Sequence, residues 1–163
     1  MAALAVYVET SVWSFAFADD VPDYRADTLL FFERCRSGMV TPCVSPAVLD
    51  EIEQARPPIR ERLADLIRNI GPPVLEITSD AERLAAAFIR ERIVPANKPE
   101  DACHVAVAFD HEFDVLVSWN FRHIASVRRV DRFNAGAILE GYFKPLRIVS
   151  PAEVIYDDET DPA

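Results

Sequence analysis

Short unbroken apolar runs alternate along this chain with longer stretches of helical spacing. The first run, Leu4 to Val8 within Leu4-Ala-Val-Tyr-Val-Glu-Thr-Ser11, has the β-branched, all-apolar character of a strand covered on both faces. An aromatic-rich segment, Val12 to Phe17, reads as a short helix or turn beside it. Tyr24 to Arg36 has helical periodicity with Leu29, Phe32 and Cys35 on the buried stripe, and Gly38 ends it. Met39 to Val44 is a second strand. Ser45-Pro46 then opens a helix, with Ser at the N-cap and Pro at the first helical position, running to about Ala55. A further helix spans Ile59 to Asn69 and stops at Gly71-Pro72-Pro73. Val74 to Ile77 reads as a third strand, and Thr78 or Ser79 caps a helix to about Ile93. Glu100 to His111 forms an Ala/Val-rich helix, Asp114 to Ser118 a fourth strand, Val130 to Glu140 a helix, and Leu146 to Val149 a fifth strand. Ser150-Pro151 repeats the N-cap signal for a last short turn.

Strands alternating with helices are βαβ units, so the expected fold is α/β. It is a three-layer α/β/α domain over residues 1–156, with a mostly parallel five-stranded sheet. Right-handed crossovers bring every strand's carboxyl end to one edge, where open α/β sheets hold their ligands. Residues 157–163 form an acidic tail that is expected to be disordered.

Charge changes this picture more than composition does. A formal net charge of −10 disfavours a protein that coats nucleic acid non-specifically, because that affinity comes from neutralising phosphates. It leaves room for an enzyme that reaches nucleic acid through metal ions and a local basic patch. The apolar run at the N-terminus lacks a basic flank and is broken by Glu9, so no signal peptide is read, and no run is long enough to span a membrane. Cys35, Cys43 and Cys103 have no zinc spacing and suit reduced core thiols of a cytoplasmic protein.

Candidate chemistry lies where acids follow strands. Glu9 ends the first strand and precedes Thr10 and Ser11; it serves equally as an N-cap neighbour. Glu51 lies on the helix after the second strand, at the border of the face set by Val48, Leu49 and Ile52, or on a solvated flank. Asp101 stands in the first turn of the helix Glu100 to His111, where the helix dipole alone favours it. That helix is apolar enough to be buried, and a partly buried acid needs a partner such as a metal cation. His104 follows one turn later, as a ligand's neighbour or as a satisfied core histidine. Ser118 and Asn120 end the fourth strand; Asn120 holds a ligand or caps the next turn. Four oxygen donors at one edge are costly unless divalent cations neutralise them, and hard oxygen ligands suit Mg²⁺ or Mn²⁺. Such ions hold phosphates and activate water for phosphodiester hydrolysis.

These four segments together resemble the motifs of the PIN domain family, the fold of VapC-like toxin ribonucleases. Val-Tyr-Val-Glu9-Thr-Ser resembles the first motif and Ser45-Pro-Ala-Val-Leu-Asp-Glu51-Ile the second. Asp101-Ala-Cys-His-Val-Ala-Val-Ala resembles the third, and Val-Leu-Val-Ser118-Trp-Asn120-Phe-Arg-His-Ile the fourth. The resemblance covers nearly the whole chain. It implies a metal-dependent ribonuclease, the toxin of a type II toxin–antitoxin pair, acting on RNA as a cytoplasmic homodimer held inactive by a cognate antitoxin. It assigns Glu9, Glu51, Asp101 and Asn120 to the metal and Ser118 to the same catalytic set, with Thr10, Ser11 and His104 orienting them. Arg122, Arg128 and Arg129, with His123 and Arg132, are the densest basic run and steer RNA or form a solvated helix face. The family usually has Asp at the first and fourth sites. Glu9 is a methylene longer and Asn120 carries no charge, an altered set that weakens metal binding or favours Mn²⁺ over the more exacting Mg²⁺.

Two competing readings follow. One is a catalytically impaired domain of the same fold that binds RNA or a protein. The other is a phosphoacceptor or phosphatase on a related sheet, which the absence of a nucleophilic Asp at the first strand and of a Lys at a late strand end argues against. Trp13, Phe15, Phe17, Phe31 and Phe32 belong to a partner surface or to the core.

Overall fold

Strand β1 (Leu4–Val8) lies inside a parallel sheet. It pairs on one side with β2 (Val40–Cys43) and on the other with β3 (Val115–Val117), which pairs in turn with β4 (Arg147–Val149). The computed structural model describes residues 3–157, and among these the strand order is β2-β1-β3-β4. The helices are α1 (Thr10–Phe15), α2 (Pro22–Arg36), α3 (Pro46–Glu53), α4 (Ile59–Ile70), α5 (Ser79–Arg90), α6 (Pro99–Asp110), α7 (Val127–Leu139) and α8 (Pro151–Asp157). The expected disordered tail falls outside the described residues, apart from Asp157 at the end of α8.

Val6, Tyr7 and Val8 are each 0% exposed although successive side chains point to opposite faces, so both faces of the sheet are covered. Helices α5, α6 and α7 pack in one group; α1, α2, α4 and α8 pack in another. The chain leaves β1 toward β2 and later returns to the other side of β1 as β3. The reversal of strand order therefore falls between β1 and β3, and the crevice outside their carboxyl ends is the expected ligand position.

The sheet has four strands, where the sequence suggested five. The segment Val74 to Ile77 makes a single parallel bridge, Val44 to Val74, through Val44 N–H to Pro73 O and Leu75 N–H to Val44 O. Pro72 and Pro73 have no N–H to extend a ladder backwards, and Thr78 caps α5 directly afterwards. The buried stripe of α2 is also rotated from the expected one. Thr28, Phe31 and Phe32 are buried and Leu29 is exposed, because Trp119 Nε1 donates to the Thr28 hydroxyl at 2.8 Å. Helix α5 stops at Arg90, short of Ile93, where Arg92 turns to φ +58°. Helix α7 begins one residue after Ser126, whose hydroxyl accepts the Arg129 amide.

Candidate functional site

Glu9 leaves β1 as the N-cap of α1, with φ −71° and ψ 157°. Both readings of this acid therefore hold at once, since it caps α1 and lies at the rim. Glu9 Oε2 accepts the Ser11 amide at 2.8 Å, and Oε1 accepts the Ser11 and Ser118 hydroxyls at 2.6 and 2.5 Å. The extra methylene relative to Asp lets one carboxylate span β1 and β3, whose ends are joined by Glu9 N–H to Val117 O. Ser118 Oγ also accepts the Asn120 amide, and Ser11 Oγ accepts the Trp119 amide. The carboxyl ends of β1 and β3 are thus tied together by hydroxyls around a buried acid.

Glu51, on α3, is oriented from the opposite direction. Its Oε1 accepts the Thr10 hydroxyl at 2.9 Å and His104 Nε2 at 2.5 Å. His104, on α6, is wholly buried, and its Nδ1 lies 2.7 Å from Tyr7 Oη, which is 2.8 Å from Ser45 Oγ. With both ring nitrogens protonated, His104 donates to Glu51 and to Tyr7, and Tyr7 donates to Ser45, the N-cap of α3. Burial opposes the His104 charge. The hydrogen bond to Glu51 and the charges of Glu9, Glu51 and Asp101 outweigh it, so the pKa of His104 is raised. Burial likewise pushes Glu51 upward, but the hydrogen bond and charge of His104, with the Thr10 hydroxyl, bring it below the ordinary value. Burial, first of all, raises Tyr7 well above its usual range, so its hydroxyl keeps its proton.

Asp101, in the first turn of α6, is the acid left over. Its Oδ2 is buried and has no hydrogen-bond partner. Burial, then the charge of Glu9, raise its pKa to about 6; Glu51 adds to this, while His104 and Lys98 oppose it. These influences put Asp101 in electrostatic range of both other acids.

Asn120 is differently employed. Its Oδ1 accepts the His123 amide at 3.0 Å, the turn-capping role that its position after a strand also allowed. In the basic run, Arg122 and Arg128 are exposed. Arg129 donates to the Ile93 carbonyl and Arg132 to the carbonyls of Glu91 and Arg92, so both secure the turn after α5. Trp13, Phe31 and Phe32 are core residues, while Phe15 and Phe17 are partly buried against it.

Sequence reasoning missed Tyr7 as a partner of His104 and Ser45 as the partner of Tyr7. The signals were a lone hydroxyl in an apolar strand and an N-cap serine facing the same edge. It also missed the rings of Tyr24, Trp119 and Phe121, which gather beside Ser118.

The chemistry of the donor set fits a hard divalent cation. Asp101 lies within electrostatic reach of Glu9 and Glu51, one of its oxygens is buried without a partner, and the nearest imidazole is engaged by Glu51 and Tyr7. Among the described residues, however, no three His, Cys, Asp or Glu side chains stand close enough to enclose an ion.

The fold and rim define a parallel α/β domain with acids at its strand-order reversal. No protein-family model matches the sequence, and no curated protein matches it. Among solved structures, the chain is similar to one in the crystal structure of VapBC2 from Rickettsia felis bound to a DNA fragment from their promoter. The TM-score is 0.54 at 12% identity, over 90% of this chain and 98% of that one. The similarity is one of fold, and it agrees with the PIN-like architecture expected from the four motifs. No helix among the described residues is long and apolar enough to cross a membrane.

Proposed function

We propose that this protein is a metal-dependent ribonuclease, the toxin of a type II toxin–antitoxin pair. The observation that carries the reading is Asp101 Oδ2, a buried carboxylate oxygen without a partner, beside two further acids at the carboxyl edge of a parallel sheet. Asp101, Glu9 and Glu51 would hold Mg²⁺ or Mn²⁺. Bound there, the cation supplies the positive charge that a phosphodiester needs beside carboxylates, and the means to activate water. Ser11 and Ser118 hold Glu9 in place, and Thr10 and His104 hold Glu51, so two of the three acids are oriented beforehand. Asn120 Oδ1 keeps the turn that follows β3 closed and so sets where Ser118 lies. The likeness in fold to a chain of a toxin–antitoxin complex supports an antitoxin partner. A homodimer has apolar surface available in Leu139 and Phe143, which are 80% and 76% exposed.

The test is cleavage of a mixed RNA panel with titrated Mn²⁺ and Mg²⁺, using wild type and Asp101→Asn prepared identically. Metal-dependent cleavage that disappears in Asp101→Asn is the expected result; equal cleavage by both proteins overturns the assignment. A second reading, an RNA- or protein-binding module of the same fold, is favoured by the capping role of Asn120 and the absence of a closed ligand cage. It requires no cleavage by either protein at any metal concentration.

A further inference from the structure

Beside the acids lies a group of four rings. Trp119, Phe15 and Tyr24 form a triangle of rings: Trp119 lies 5.8 Å from Phe15 (14° between planes) and 4.5 Å from Tyr24 (32°), Phe15 and Tyr24 lie 6.2 Å apart, and Trp119 Nε1 is pinned to Thr28. Phe121 meets Trp119 edge-on at 5.9 Å and Tyr24 at 6.4 Å. This chain can bury rings completely, as Phe31, Phe32, Phe88 and Phe133 show. Here it buries Trp119 but leaves Tyr24 and Phe121 42% and 46% exposed. The group adjoins the acidic rim: the Trp119 amide donates to Ser11 Oγ, and Ser118 donates to Glu9.

Arg122 follows Phe121 and is exposed. Arg122, Arg129 and Lys98 all act on His123, and Lys98 acts on Asp101 as well. Arg129 is already tied to the Ile93 carbonyl, which leaves Arg122 and Lys98 for an outside anion. In a chain of net charge −10, half-exposed rings with an exposed arginine next to one of them, at an acidic rim, suit one kind of polymer. It must offer flat π faces and phosphates in alternation, which unpaired nucleotides do and a base-paired helix does not.

We propose that Tyr24 and Phe121 form a stacking platform for an unpaired base of single-stranded RNA, with Arg122 and Lys98 taking the adjoining phosphates. The choice of RNA rests on the ribonuclease reading above.

The test uses the full chain in EDTA, so that binding is read without cleavage. Anisotropy of a labelled single-stranded RNA is compared with that of its duplex. Phe121→Ala is expected to weaken single-strand binding about tenfold and Phe121→Trp to retain it, with duplex binding unaffected by either. A scan of abasic nucleotides needs no protein variant. One position is expected to lose affinity for wild type and to lose none for Phe121→Ala. Unchanged single-strand affinity in Phe121→Ala overturns the proposal and leaves the rings to a protein partner. Equal losses on single strand and duplex, or no single-strand binding by wild type, overturn it too. Failure of the parent reading looks different: no metal-dependent cleavage, yet binding that depends on Phe121. Cleavage that needs Asp101, with Phe121→Ala binding normally, removes the platform alone.

Discussion

Replacing Asp101 by Asn stabilises the metal-free fold at neutral pH, even as it removes the acid on which a cation would depend. The rise of the Asp101 pKa from 3.8 to about 6 means that the folded state holds this proton more tightly than the unfolded chain does. A tenfold change in proton affinity is about 1.4 kcal/mol, so ionising Asp101 in the fold costs up to about 3 kcal/mol. Asp101 is only partly buried, and screening by solvent reduces this to about 1–2 kcal/mol. An Asn amide whose N–H groups go unpaired in this partly buried position costs about 1 kcal/mol. The net gain is about 1 kcal/mol, or about 2–4 °C in melting temperature for a chain of this size.

The sign dictates the pH profile. Because the folded pKa is raised, the wild-type stability due to this group is complete below pH 3.8 and lost as pH rises through about 6. The variant's advantage is therefore full at pH 7.5 and shrinks toward pH 4, where protonated Asp101 is already neutral. Urea denaturation in EDTA across this range measures it. A variant less stable than wild type at pH 7.5, or a gap that ignores pH, refutes the reasoning. If the proposed metal site is correct, adding Mn²⁺ is expected to reverse the order: ligand at about a hundred times its Kd would stabilise wild type by about 2.7 kcal/mol and the variant by little.

Two further outcomes follow from neighbouring contacts. His104→Gln removes the ion pair with Glu51 and is expected to cost about 2–3 kcal/mol, since one partner is wholly buried. The lowered Glu51 contributes above pH 4.5 and loses its share as pH falls through its folded value. The raised His104 contributes below pH 6.5 and loses its share as pH rises through its own. The cost is therefore greatest between those two values, as urea midpoints over pH would record. Arg129→Ala is expected to lower stability by about 1 kcal/mol with RNA affinity unchanged, because it caps the Ile93 carbonyl. Arg122→Ala is expected to do the reverse and to reduce the salt dependence of RNA binding, read by anisotropy at several salt concentrations.

Local chemistry made much of the fold legible. Ser45-Pro46 and Thr78 announce helix starts by side-chain oxygens placed to accept an amide, and Ser45 and Thr78 do accept the Ala47 and Ala81 amides. Gly71 announces a stop by its left-handed φ of +66°. The third expected strand, Val74 to Ile77, was misread because Val-Leu-Glu-Ile has strand composition, while the two prolines before it deny the ladder. The rotated stripe of α2 was hidden for another reason. Thr28 is buried through a bond to Trp119, ninety-one residues away, which no local period records. The site divides the same way. An acid at the end of an apolar run is visible in one dimension, so Glu9, Glu51 and Asp101 could be named. The chain from Ser45 through Tyr7 and His104 to Glu51 joins three elements across separations of 38, 97 and 53 residues. The parallel pairing of β1 with β2 brings Tyr7 beside Ser45, and the packing of α3 against α6 brings His104 to Glu51.

That chain also explains why the three acids are not equivalent. Like charges gathered at one rim raise one another's proton affinity, and a fold that must stand without a cation has to offset each in turn. Glu51 has His104, whose pKa is raised by that same contact and whose other ring nitrogen is held by Tyr7. Glu9 has three hydrogen bonds from Ser11 and Ser118 that spread its charge into hydroxyls and an amide. Asp101 has a buried oxygen and nothing on it. Offsetting two acids and leaving the third bare concentrates the unmet charge at one point, the first turn of α6. A cation entering the rim would gain most there, and the two acids already fixed would meet it without rearranging their own supports. The stability that Asp101 costs the empty fold is then the same free energy that a bound cation recovers.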